Sequence, residues 1–105
     1  MHRVRFKVVT QSPVELPNVI RVSSEALRAS GCVTYERPSW VLAGCGDRVL
    51  VKVYMHMSRP LGELLGFEWV SVVELEGASA SDVVKVASIL MGAFERAGLG
   101  VVMEG

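Results

Sequence analysis

The sequence predicts an α+β domain, a two-layer sandwich in which two helices lie on one antiparallel sheet. Three observations predict it. Valine supplies 19 of the 105 residues, and β-branched side chains pack well on a pleated surface. Apolar and polar side chains alternate strictly in several short segments, which is the period of a half-buried strand. Two further segments carry apolar residues at helical spacing between residues that start and stop helices.

The opening segment Arg3-Val4-Arg5-Phe6-Lys7-Val8 puts Val4, Phe6 and Val8 on one face and three cations on the other, so it reads as a strand ended by Pro13 and Pro17. Asn18 then reads as the N-cap of a helix through Ala29, closed by Gly31, with Val19, Val22, Ala26 and Leu27 inward. A shorter helix capped by Ser23 or Ser24 is the alternative. Residues 32–57 read as antiparallel strands. From Arg48 to Met57, Val49, Val51, Val53, Met55 and Met57 face one way, and Arg48, Leu50, Lys52, Tyr54 and His56 the other. A turn on Gly44-Cys45-Gly46-Asp47 would pair Leu42 with Val49 and Trp40 with Val51, and so place Trp40 and Leu42 on the apolar face.

Ser58 to Gly66 is a Pro/Gly loop rich in leucine. Phe67 to Glu76 alternates again, with Phe67, Trp69, Val73 and Leu75 opposite Glu68, Glu74 and Glu76. Ser79 followed by Asp82 resembles a capping box with a shorter acid, and a helix runs from there to Ala97, stopped by Gly98. Its inward stripe is Val83, Val86, Leu90, Phe94 and Ala97. Leu99 to Met103 is a last short strand. The order is β-α-β-β-β-α-β, a ferredoxin-like split βαβ with an additional strand or a related two-layer sandwich.

Residues 1–105 form a single domain on this reading, large enough to build its own core. The longest apolar stretch, Val83 to Phe94, has twelve residues and contains Lys85, against the ~20 that a bilayer requires. The first nine residues hold Arg3, Arg5 and Lys7, which no secretory leader would carry in its apolar region. A cytoplasmic location without membrane contact is the expectation. Two side-chain amides in the whole chain, Asn18 and Gln11, fit a thermophilic source as well as they fit compositional drift.

Net charge is zero, yet residues 1–60 carry nine Lys/Arg against four Asp/Glu and residues 61–105 carry two against seven. Such asymmetry suits a polyanion partner or head-to-tail self-complementarity, while plain neutralisation within one fold explains it more simply. If the first strand lay beside the Arg48–Met57 strand, Arg3, Arg5 and Lys7 would neighbour Arg48, Lys52, Tyr54 and His56. Cations with an aromatic ring on an open sheet are what a single-stranded RNA platform uses. One tyrosine is a thin stacking surface, and a solvated face ranks ahead.

Chemistry-bearing motifs are few. Cys32 and Cys45 stand thirteen apart, with no C-x-x-C and no zinc-finger spacing to His2 or His56, so no metal and no cofactor are expected. A hairpin turning at Pro38-Ser39 would set the two thiols opposite each other and permit a disulfide, although two ordinary thiols rank ahead in a cytosolic protein. Cys45 between two glycines is a weak nucleophile candidate, because no residue is placed to act as its base. Met55-His56-Met57 cannot converge on a metal from a strand, and Glu68, Glu74 and Glu76 read as a solvated edge of the sheet rather than an acid–base pair.

Three functions follow, in order. The first is a non-catalytic interaction module, a homodimer or a subunit of a larger assembly, with Leu61, Leu64, Leu65 and Phe67 as contact residues. The second binds RNA or another single-stranded nucleic acid through the basic face, and the third is a small enzyme using Cys45.

Overall fold

The computed structural model describes residues 1–10, 16–46, 48–60 and 67–103, apart from the side chains of residues 16, 56–60, 67 and 68. It is an α+β domain with two helices on a six-stranded antiparallel sheet. The elements are β1 (His2–Thr10), α1 (Leu16–Ala29), β2 (Val33–Arg37), β3 (Trp40–Cys45), β4 (Val49–Pro60), β5 (Phe67–Gly77), α2 (Ala80–Arg96) and β6 (Gly100–Met103). The sheet runs β2-β3-β4-β5-β1-β6. The observed order is therefore βαββββαβ, one strand more than βαβββαβ, because the segment after α1 folds back on itself at residues 38–39.

Alternation writes the core. Phe6 and Val8 of β1, Val41 and Ala43 of β3, Val49, Val51 and Val53 of β4, and Val73 and Leu75 of β5 point to one face and are buried. Both helices cover that face. Helix α1 contributes Val19, Ile20 and Leu27, and α2 contributes Val83, Ala87, Leu90 and Phe94. Phe6 and Phe94 meet edge to face with centroids 6.2 Å apart, an arrangement that the ring quadrupole favours.

Helix α2 matches its sequence signals. Ser79 is the N-cap and its hydroxyl accepts from the Asp82 amide at 3.4 Å, while Ala97 is the C-cap. Gly98 follows with φ +77°, a left-handed conformation that glycine adopts without strain. Of the expected inward stripe, Val83, Leu90 and Phe94 are buried, Val86 is half-buried and Ala97 is exposed. Helix α1 begins at Leu16, so Asn18 lies inside its first turn rather than capping it, and its Oδ1 accepts from Arg21 Nη2 at 3.1 Å. Pro17 sits where its missing N–H has no helical partner to lose. Ser23 and Ser24 are buried inside the helix and cap nothing.

The β3–β4 register differs from the expected one. Cys45 pairs with Val49, Ala43 with Val51 and Val41 with Val53. Gly46, at φ +63°, makes the tight turn one position later than the Gly-Cys-Gly-Asp reading supposes. An odd shift of register moves every side chain to the other face. Trp40 and Leu42 therefore leave the core and stand on the face away from the helices, opposite Tyr54 and Lys52.

Candidate binding surface on the open sheet face

Strand parity and register together define what the helix-free face presents. One row across the sheet reads Val33, Gly44, Leu50, Glu76 and Arg3, and the next Tyr35, Leu42, Lys52, Glu74 and Arg5. The third reads Arg37, Trp40, Tyr54, Val72, Lys7 and Val102. Large apolar and aromatic groups gather at the β2–β3–β4 end. Val33 is 64%, Tyr35 56%, Trp40 39% and Leu50 37% exposed. Trp40, Leu42, Lys52 and Tyr54 line a shallow groove of about 310 Å³ there. The Arg37 guanidinium lies 5.7 Å from the Trp40 ring centroid, within cation–π range.

The expected basic stripe is not continuous. Strand β5 lies between β1 and β4, so its outward carboxylates stand between the two sets of cations. Arg3 Nη2 is 3.2 Å from Glu76 Oε2 and Arg5 Nε is 3.5 Å from Glu74 Oε1. The Tyr54 hydroxyl donates to Glu74 Oε1 at 2.9 Å. These are exposed or half-exposed pairs of small energetic worth, but they cancel charge where a polyanion would need it. Arg48 leaves the face altogether: it sits at the β3–β4 turn and reaches Asp82 of α2 at 3.5 Å. Lys7 and Lys52 remain on the face by register, and Lys52 has no carboxylate partner among the described residues. His56 lies on β4 with its side chain outside the described residues, as do the side chains of Phe67 and Glu68 on β5. Leu61, Leu64 and Leu65 fall wholly outside them.

Cys32 and Cys45 are joined as a disulfide with their Cα atoms 4.3 Å apart. The β2–β3 pairing that sets Val33 against Gly44 brings them opposite each other, at the spacing of a non-hydrogen-bonded antiparallel pair. Two ordinary thiols are the sequence expectation; the structure has a bridge instead. Cys45 thus has no thiol to act as a nucleophile. Beside the bridge, a cleft of about 220 Å³ opens between the β3–β4 turn and α2, with Arg48, Asp82 and Lys85 in its wall. No group of three metal-ligating side chains occurs among the described residues.

Sequence reasoning misses Val33, Tyr35, Arg37, Trp40 and Leu42 as surface residues. The signal that finds them is the Pro38-Ser39 turn, since the pairing that opposes Cys32 and Cys45 also opposes Tyr35 and Leu42. Comparison with protein families, with curated proteins and with solved structures returns no match. No helix among the described residues is long and apolar enough to cross a membrane.

Proposed function

We propose that this chain is a non-catalytic interaction module that meets its partner with the helix-free face of the sheet, at the β2–β3–β4 end. The observation that carries this is the gathering of Val33, Tyr35, Trp40, Leu42 and Leu50 on adjoining rows of that face. Apolar side chains scattered singly over a surface need no explanation, whereas adjoining ones mark a contact. The groups that would argue for catalysis are already engaged: the Cys45 sulfur in its bridge, Glu74 and Glu76 with arginines. We read the frame as ferredoxin-like, with the β2–β3 hairpin inserted after α1; the insertion is what widens the open face and supplies most of its apolar groups.

The test replaces Tyr35 and Trp40 together by serine. Both are substantially exposed, so each change should move stability by no more than about 0.5 kcal/mol. What should change is the assembly state in light scattering, or the set of components that co-purify with the tagged protein from its native host. A variant that melts far below the parent would show that the patch serves the fold instead. A parent that is monomeric at high micromolar concentration and brings nothing with it would remove the reason for the proposal.

A further inference from the structure

We infer that the partner met by this face is a single-stranded nucleic acid, its bases laid on Tyr35, Trp40 and Tyr54 and its phosphates met by Arg37 and Lys52. The inference rests on the reading of the face as a binding surface and names what it binds. Its first support is charge. Among the described side chains, the face presents Arg3, Arg5, Lys7, Arg37 and Lys52 against Glu74 and Glu76. Both carboxylates are taken up by Arg3 and Arg5. Neither Arg37 nor Lys52 has a carboxylate partner among the described residues. The uncompensated positive charge therefore lies at the aromatic end, not along β1.

The second support is the rings. Trp40 and Tyr54 are direct cross-strand partners and Tyr35 lies one row away on β2. Residues so paired stand roughly 4.5–8 Å apart. Three rings in adjoining positions, with Lys52 in the same groove as two of them, give both elements that sequence-tolerant strand binding uses: π-faces for bases and cations for the backbone. A second copy of the chain fits less well. A two-fold interface on this patch brings Arg37 and Lys52 toward their own copies, and like charges across an interface oppose it. A duplex hides its base faces, so it would engage the cations and leave the rings idle.

The experiment titrates fluorescein-labelled single-stranded RNA and DNA of mixed sequence with the full, oxidised chain, read by anisotropy across a salt series. Binding should favour single strands over a duplex of the same sequence, with log K falling against log salt at a slope of about −1.4 for two phosphates neutralised. Trp40→Ala should weaken binding about five- to hundredfold, as loss of one base stack does. Lys52→Gln should flatten the slope by about 0.7, and Lys85→Gln on α2 should change nothing. Trp40→Ala and Lys52→Gln test separate elements, so a folding defect in one leaves the other informative. No binding at low salt, a duplex bound as tightly as a single strand, or full affinity in both variants would overturn the inference. If oligonucleotides fail while a Glu/Tyr copolymer binds and Trp40→Ala abolishes it, the ligand class is wrong and the binding face stands. A dimer that Trp40→Ala dissolves likewise overturns the ligand class and keeps the face. If none of these partners responds to Trp40→Ala, the binding face falls as well.

Discussion

Reducing the Cys32–Cys45 bridge should lower the melting temperature by more than about ten degrees. The bridge spans a sequence separation of 13, and closing a loop of that length in the unfolded chain corresponds to about 3 kcal/mol. With an unfolding entropy of about 2.1 cal/mol/K per residue, about 3 kcal/mol in a chain of 105 residues becomes a fall of about 14 °C. Reduction is the right perturbation because it leaves both sulfurs in place. A Cys32→Ala change would add a cavity cost at a buried position and confuse the reading. The assay is thermal unfolding by circular dichroism with and without a phosphine reductant, with intact mass confirming that the reduced chain gains two hydrogens. Iodoacetamide without reductant should label neither cysteine. The reasoning is refuted if both cysteines label at ordinary thiol rates before reduction, or if complete reduction moves the midpoint by only a degree or two. The second outcome would mean that the β2–β3 hairpin holds its closure equally well in the denatured ensemble.

Other perturbations probe other joints of the fold. Phe94→Ala removes the ring that meets Phe6 in the core and should cost about 3–5 kcal/mol in urea unfolding. Ser79→Ala deletes the hydroxyl that accepts the Asp82 amide and should cost about 1 kcal/mol, while Ser79→Gly at the same position should cost only a few tenths. Gly77→Ala should destabilise by about 1–3 kcal/mol, because a Cβ there overlaps the Arg48 carbonyl and presses on Val83 Cγ2. Arg5→Gln breaks an exposed pair with Glu74 and should lower the stability read from urea unfolding by less than about 1 kcal/mol. A larger loss would show that this pair orders the sheet.

What the sequence discloses tracks the kind of physics involved. Helix α2 is legible because Ser79 and Gly98 act locally and the stripe between them is unambiguous. Alternation likewise gives the inward residues of β1, β4 and β5, since parity within a strand needs no knowledge of neighbours. Parity between strands does. The glycines at 44 and 46 allow two turn placements, and the two choices send Trp40 and Leu42 to opposite faces. Strand order is hidden for a related reason: nothing in Arg3-Val4-Arg5-Phe6-Lys7 says whether its neighbour is Lys52 or Glu74. The candidate surface read from sequence inherits both errors. Its aromatic half goes to the core, and its basic half lacks the acidic strand that runs through it.

The place of β1 in the sheet has a temporal consequence. Its two neighbours are β5 and β6, so the first strand made by the ribosome pairs only with strands that begin at residues 67 and 100. During synthesis, α1 and the β2–β3–β4 meander have partners close at hand, while Val4, Phe6 and Val8 wait unpaired. Contacts so distant along the chain cost loop entropy before they return any stability, which slows folding. The three cations on the other side of β1 give that waiting segment a charge every second residue, and a strand so marked is a poor template for pairing with a stranger. The alternation that reads as a strand in the finished protein thus also keeps the nascent one soluble until its late partners arrive.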